Sequence, residues 1–252
     1  MSKGRYEHKG RRRRRIFGSK SLALVLACVL LVGGVIGGTV AWLTAKTNEV
    51  TNVFTPSDID ITLQEHTYDS DKDELTNTET TTGVDNYKMV PGWTIPKDPW
   101  VTVKGGSEDC WVFIKVEEKG GNVTITDDEF PTPMMFTFSD FIAYEIDDAN
   151  WTQLTDENDA PVPGVYYCYA NDVENDRNIK ILDEGKYTFN GVDYTWDKQH
   201  VLTKPDVTKE MMNAVTNDTK PTLTFTAYAS QYWKNNTENF TAYEAWKNVS
   251  GN

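Results

Sequence analysis

Apolar and polar residues alternate along most of this chain, and a period of two marks a half-buried β-strand. Ile59, Ile61 and Leu63 alternate with Asp58, Asp60 and Thr62. Trp100-Val-Thr-Val-Lys104 repeats the pattern. Cys110-Trp-Val-Phe-Ile-Lys-Val-Glu117 is apolar on both faces through Ile114, which predicts a central strand of a packed sandwich. Gly164-Val-Tyr-Tyr-Cys-Tyr-Ala170 is aromatic and β-prone. Tyr187 to Trp196 reads as a hairpin, with Asn190-Gly191 as turn residues that tolerate positive φ. Thr222-Leu-Thr-Phe-Thr-Ala-Tyr-Ala229 alternates most cleanly, placing Leu223, Phe225, Ala227 and Ala229 inward and the threonines and Tyr228 outward.

Helical signals are few. Asp206 can cap a helix over Val207 to Val215, with Met211, Met212 and Val215 as its apolar stripe. Thr241-Ala-Tyr-Glu244 fits a capping box ahead of a short C-terminal helix. Phe138 to Ala143 adds a helical turn. Asp69 to Asp85 reads as a polar, Thr-rich loop, and Asp147 to Gly164 and Asn171 to Asn178 read as acidic turns. The expected class is all-β, an antiparallel β-sandwich with a few short peripheral helices, in one domain over residues 58–252.

The first 41 residues differ in kind. Arginines run from Arg11 to Arg15, and a long apolar stretch follows from Ser21 to Thr39. A basic flank before such a stretch is an export signal. Thr39-Val40-Ala41 presents small residues where a signal peptidase reads them, so Ala41/Trp42 is the expected cleavage junction. At about 19 residues the stretch also approaches the roughly 20 needed to span a bilayer, so a retained N-terminal anchor is the alternative. Either way the only membrane contact expected is through residues 21–41, and the rest lies outside the cell. Cys28 within Val25-Leu-Ala-Cys28 loosely fits a lipidation box, but apolar residues continue well past it.

Charge follows the same division. Of 25 basic and 38 acidic residues, nine and one lie in residues 1–41, which leaves 16 and 37 beyond them, a net of −21. Arg177 is the only arginine in that part. Nucleic acid is excluded as a partner, because displacing counterions from phosphate takes clustered cations. Beyond residue 41 the cysteines are Cys110 and Cys168. In an exported protein two strand-borne cysteines form either a bridge or two buried thiols, and only geometry decides.

The motifs of common catalytic sites are absent. There is no H-E-x-x-H, no G-x-S-x-G and no phosphate-binding glycine loop. His66 and His200 are the histidines beyond the signal, and a Cys/His pair with Cys110 or Cys168 competes with the simpler reading of inert buried thiols. Asp69-Ser-Asp-Lys-Asp-Glu74 has the composition of a calcium loop, yet Glu74 and Thr80 stand where an EF-hand has Gly and Glu. An irregular, weak calcium site remains the alternative to a solvated loop, and no other cofactor is expected. The sequons at Asn122, Asn150, Asn217, Asn235, Asn239 and Asn248 follow from a Thr/Asn-rich composition.

Several segments together resemble a known group. Gly37-Gly38-Thr39, Ala41-Trp42, Thr51-Asn-Val-Phe-Thr55 and Ile59-Asp-Ile-Thr-Leu63 resemble the start of TasA/camelysin family exported proteins with SipW-type signal peptides. Val90-Pro-Gly92, Cys110 to Val116 and Leu223 to Ala229 are similar to that family's later strands. The resemblance implies a jelly-roll-like sandwich, processing by a dedicated signal peptidase, and a role in the biofilm matrix or at the surface of a Gram-positive-type bacterium. It also implies assembly by strand addition, with self-association or other matrix proteins as partners. The matching donor segment here is an extended stretch over residues 42–57, with Leu43, Val50, Val53 and Phe54 as its apolar side chains. Camelysin-like members are described as metalloproteases, which no motif of this chain supports. A monomeric surface adhesin is the other reading, with Trp151, Trp196 and Trp233 as candidate binding aromatics.

Overall fold

The computed structural model describes residues 58–69, 71–72, 74–81, 87–126 and 132–251. The chain divides into two units, Met1–Val53 and Phe54–Asn252, and all described residues belong to the second. The signal region, Cys28, the Ala41/Trp42 junction and the segment carrying Leu43, Val50, Val53 and Phe54 lie outside the described residues.

The first strands are β1 (Ile61–Asp69), β2 (Glu74–Thr80), β3 (Thr94–Pro96), β4 (Trp100–Val103), β5 (Cys110–Lys119), β6 (Val123–Ile125) and β7 (Met134–Phe136). Helix α1 (Phe138–Phe141) precedes β8 (Ile142–Ala143), β9 (Glu145–Ile146), β10 (Thr152–Thr155), β11 (Pro161–Ala170) and β12 (Arg177–Lys180). The chain continues through β13 (Leu182–Asp183), β14 (Gly185–Phe189), β15 (Val192–Trp196), β16 (His200–Thr203), α2 (Lys209–Ala214), β17 (Thr222–Gln231) and α3 (Ala242–Ser250).

The protein is all-β, and its strand pairings are antiparallel. Two four-stranded sheets dominate, ordered β12-β4-β1-β2 and β10-β11-β5-β17. Alternation explains how they share a core. Val101 and Val103 of β4, Ile179 of β12, and Ile61 and Leu63 of β1 meet Val112, Ile114 and Val116 of β5 in one buried cluster. Cys168 and Ala170 of β11 and Phe225 and Ala227 of β17 complete it from the register partners of β5.

The opposite face of β5 carries Trp111 and Phe113, and it too is covered. Helix α3 places Ala245 and Trp246 over Phe113, Val165 and Leu154. Its start is set by the expected capping box: Thr241 accepts from Glu244 N, and the Glu244 side chain returns to the Thr241 N–H. The neighbouring Lys234 ammonium and that returning bond hold the Glu244 carboxyl far down, at about 2. Tyr228, expected in solvent, instead meets Trp246 edge-on at 5.2 Å, because the helix covers the face that alternation assigns to water. Gly120 makes the β5–β17 junction feasible. A Cβ there would lie 1.9 Å from the Lys220 carbonyl, at a φ of +74° that favours glycine.

Several boundaries differ from the sequence reading. The polar stretch after Asp69 contains β2, which pairs with β1 and carries Thr and Glu on an exposed edge. Its sparse apolar content hid it, since both of its faces are largely wet. The stretch from Asp147 to Gly164 contains β10 and the start of β11. Thr208, not Asp206, caps α2, accepting from Met211 N at 3.3 Å. Asp206 takes the Tyr187 hydroxyl at 2.6 Å instead. The Asn190-Gly191 hairpin forms as read, with φ of 50° and 75°.

Phe113 is fully buried beneath α3. Phe113→Ala removes the contact that seats the helix, and a loss of about 3–5 kcal/mol is expected. Urea unfolding followed by tryptophan fluorescence measures it; a loss under about 1 kcal/mol would show that α3 is not fixed by this contact.

Candidate functional site

Four places in the described structure carry candidate chemistry. The first is the unpaired edge of β17, a strand that β1 of the other sheet also packs against. This ten-residue strand pairs with β5 along its whole length, from Thr222↔Lys119 to Gln231↔Cys110. It ends its sheet, so among the described residues no strand pairs with its other edge. Its sequence, Thr-Leu-Thr-Phe-Thr-Ala-Tyr-Ala-Ser-Gln, holds no charge, proline or glycine. The other edges of the two four-stranded sheets are guarded in ordinary ways. β10 and β12 are four residues long, β10 has an irregular register opposite Pro161, and β12 carries Arg177 and Lys180. β2 carries Glu74 and Glu79 and meets β1 with a register shift.

The second is a polar cluster on the outer face of the first sheet. Asp98 has a wholly buried carboxylate, 2.7 Å from His66 Nδ1. It also accepts from the His66 backbone N–H at 3.1 Å and from Gln199 Nε2 at 3.3 Å. The Lys180 ammonium lies 3.9 Å from it and 4.3 Å over the Trp100 ring, which in turn packs 4.9 Å from the His66 imidazole. Burying that carboxylate requires these donors, because an unpaired buried charge is costly. The imidazole is thereby oriented as a general base would be, but among the described residues no Ser, Thr or Cys is hydrogen-bonded to it. His200 is bound separately to Asp197, at 2.5 Å. Sequence spacing does not reveal this cluster, since His66, Asp98, Lys180 and Gln199 come from distant parts of the chain.

The third is the pair of thiols. Cys110 and Cys168 are free and buried. They occupy adjacent strands on one face, but Cys168 stands opposite Val112 and Cys110 opposite Ala170, so they are diagonal neighbours. Diagonal Cα atoms are typically about 7–8 Å apart, beyond usual bridging range. Burial pushes both thiols up to about 12, with Cys168 adding to the rise at Cys110 and Arg177 opposing it at both, so neither is activated. Neither thiol is paired with His66 or His200 among the described hydrogen bonds.

The fourth is acidic. One carboxylate oxygen each of Asp147, Asp148 and Asp183 lies within 4.8 Å of the others. Lys198 supplies the balancing cation, 2.9 Å from Asp183 and 3.6 Å from Asp147. Its hydrogen bond holds the Asp183 carboxyl below the usual range. The acidic loop read as a candidate calcium site is organised by its own residues. Asp69 accepts from Asp71 N at 3.0 Å and pairs with Lys72 at 2.9 Å.

The candidate binding aromatics separate clearly. Trp151 is buried and donates to the Lys180 carbonyl at 2.7 Å, and Trp196 is buried as well. Trp233 is 48% exposed. Trp93, which the alternation does not single out, is 62% exposed on the turn after Gly92. No helix among the described residues is long and apolar enough to cross a membrane. No family model, curated protein or solved structure matches the chain.

The thiols generate a direct test. Between the ordinary thiol value of 9.0 and about 12, an unfolded chain ionises while the fold keeps Cys110 and Cys168 neutral. Their contribution is therefore complete below 9.0 and is lost as pH rises toward about 12. Iodoacetamide at neutral pH should leave both unlabelled in the native protein and label both in urea, read by peptide mass mapping. Native labelling at either position would contradict the buried placement.

Proposed function

We propose that this chain is an exported structural subunit that assembles at the cell surface or in the biofilm matrix of a Gram-positive-type bacterium. In this reading the domain is a jelly-roll-like sandwich of the TasA/camelysin kind, freed by a signal peptidase between Ala41 and Trp42. The new N-terminal segment of one copy, with Leu43, Val50, Val53 and Phe54, adds as a strand to an open sheet edge of the next.

The observation that carries the proposal is β17. A ten-residue edge strand without charge, proline or bulge is the feature that monomeric β-proteins suppress, because its free N–H and C=O groups template further pairing. Without a hydrogen-bonded neighbour on that side among the described residues, it supports a physiological partner. The donor is long enough. Residues 42–55 would extend over about 46 Å at ~3.3 Å per residue, against about 33 Å for β17. Its apolar side chains give register to pairing that backbone hydrogen bonds alone would leave free to slip. The acidic surface then keeps subunits apart except where a strand is exchanged.

Two variants test the proposal. Thr224 stands opposite Glu117 in the β5 register, so Thr224→Lys is tolerated by the domain while placing a charge on the open edge. Deleting residues 42–55 removes the donor. Each change should abolish fibres in negative-stain electron microscopy and leave a monomer whose urea midpoint stays within about 0.5 kcal/mol of the parent. Fibres in undiminished yield from either variant would overturn the corresponding half of the mechanism.

A further inference from the structure

The face of β5 beneath α3 is covered only in part. Trp246 and Ala245 reach Phe113 and Tyr228, but toward the start of β5 the same face passes into a set of rings that the helix does not bury. Trp111 lies 5.5 Å from Tyr167 and 5.4 Å from both Tyr169 and Tyr232. Tyr169 and Tyr232 are 4.4 Å apart, and Trp233 meets Tyr232 edge-on at 4.9 Å. The series therefore runs outward from a half-buried indole to the exposed Trp233 ring. Trp233 sits on a turn that closes itself. It bridges to Asn239, and Asn235 Oδ1 accepts from Thr237 N and Glu238 N.

Polar groups frame these rings. The Asp109 carboxylate accepts the Tyr169 hydroxyl at 3.0 Å and the Asp172 N–H at 3.2 Å, while its carbonyl takes the Tyr232 N–H at 3.0 Å. Those bonds tie the rings to the loop from Asn171 to Arg177, which surrounds an open cavity of about 330 Å³ lined by Asn171, Asp172, Val173, Glu174, Asn175 and Arg177. Arg177 reaches back to the Tyr169 carbonyl at 3.5 Å, leaving most of its five-donor fork unused by that contact.

We propose that this end of the second sheet binds a neutral polysaccharide, with sugar rings stacked on Trp233 and Tyr232 and hydroxyls bonded around the Asn171–Arg177 cavity. A pyranose has an apolar C–H face and a rim of hydroxyls that both donate and accept. Aromatic rings with one wet side match the face, and amides, carboxylates and a guanidinium match the rim. Charge selects a neutral ligand. Asp172 and Glu174 line the cavity with the single Arg177 on a domain with a large acidic excess, so an anionic polymer is repelled. An apolar peptide fits poorly, because carboxylates and amides interrupt the rings. The site begins where β17 ends, so it operates beside strand exchange and independently of it.

The full chain, held in mild detergent, is titrated with cellohexaose, laminarihexaose and chitohexaose, with polygalacturonate as the anionic comparison, and tryptophan emission is followed. At least one neutral hexasaccharide should shift the emission with a Kd between about 10 μM and 5 mM. Trp233→Ala should weaken that binding about tenfold or more, and Arg177→Ala should weaken it without touching a ring. Trp233→Tyr should retain most of it, and Trp93→Ala, at a still more exposed tryptophan elsewhere, should leave it unchanged. Thr224→Lys should bind like the parent, which separates this site from assembly. No response to any neutral hexasaccharide up to about 10 mM, a response to polygalacturonate alone, or unchanged binding in both Trp233→Ala and Arg177→Ala would overturn the proposal.

Discussion

Strand β5 carries apolar side chains on both faces, so two layers of structure cannot be enough to bury it. Val112, Ile114 and Val116 require the first sheet on one side, while Trp111 and Phe113 require something else on the other. The chain meets that requirement late, with α3 folded back onto the sheet more than a hundred residues after β5. Each fully buried large side chain of this kind is worth about 1.5–3 kcal/mol relative to exposure. The third layer therefore decides how Tyr228, Val165 and Leu154 are used, and why the outer face of β17 is less polar in effect than its threonines suggest.

Covering β5 leaves its neighbour β17 at the rim. The strand is held on one side by a continuous ladder, packed beneath Trp246 at Tyr228 and into the common core at Phe225 and Ala227. It is thus ordered by its ladder to β5 and by packing on both of its faces. The other edges of the two large sheets differ: β12 and β2 carry charged side chains, and β10 is short with an irregular register.

Much of this architecture is legible in the sequence, and the failures have physical causes. The alternation at Ile59–Leu63, the two-faced run at Cys110–Ile114 and the Asn190-Gly191 turn each correspond to what forms, because burial and positive φ act locally. β2 escaped because an edge strand wet on both faces has no alternation to read. Periodicity places Tyr228 in solvent because it reports two faces, not what a distant helix covers. Of the candidate aromatics, Trp151, Trp196 and Trp233 look alike in sequence. Only tertiary packing buries the first two and leaves the third on a turn. The Asp98 cluster was invisible for the same reason, as its donors come from β1, β12 and the β15–β16 turn.

The acidic excess acquires a structural meaning in the turns. Asp69, Asp156 and Asp197 each accept a backbone N–H two residues on, from Asp71, Asn158 and Gln199, and Asp147 does the same for Ala149. A carboxylate in that position closes a turn that would otherwise leave an N–H without a partner. Hydrogen bonds hold the carboxyls of Asp69, Asp156 and Asp197 below the usual range, led at Asp69 by the Lys72 side chain, at Asp156 by the Asn158 N–H and at Asp197 by the His200 side chain, with the turn N–H groups of Asp71 and Gln199 adding to the first and last. A depressed folded value means their contribution is present above the ordinary carboxylate range and is lost as pH falls through the lowered one. Acidity in this domain therefore serves its connections as well as its solubility, and the charges most often counted as surface decoration also fix where one strand stops and the next begins.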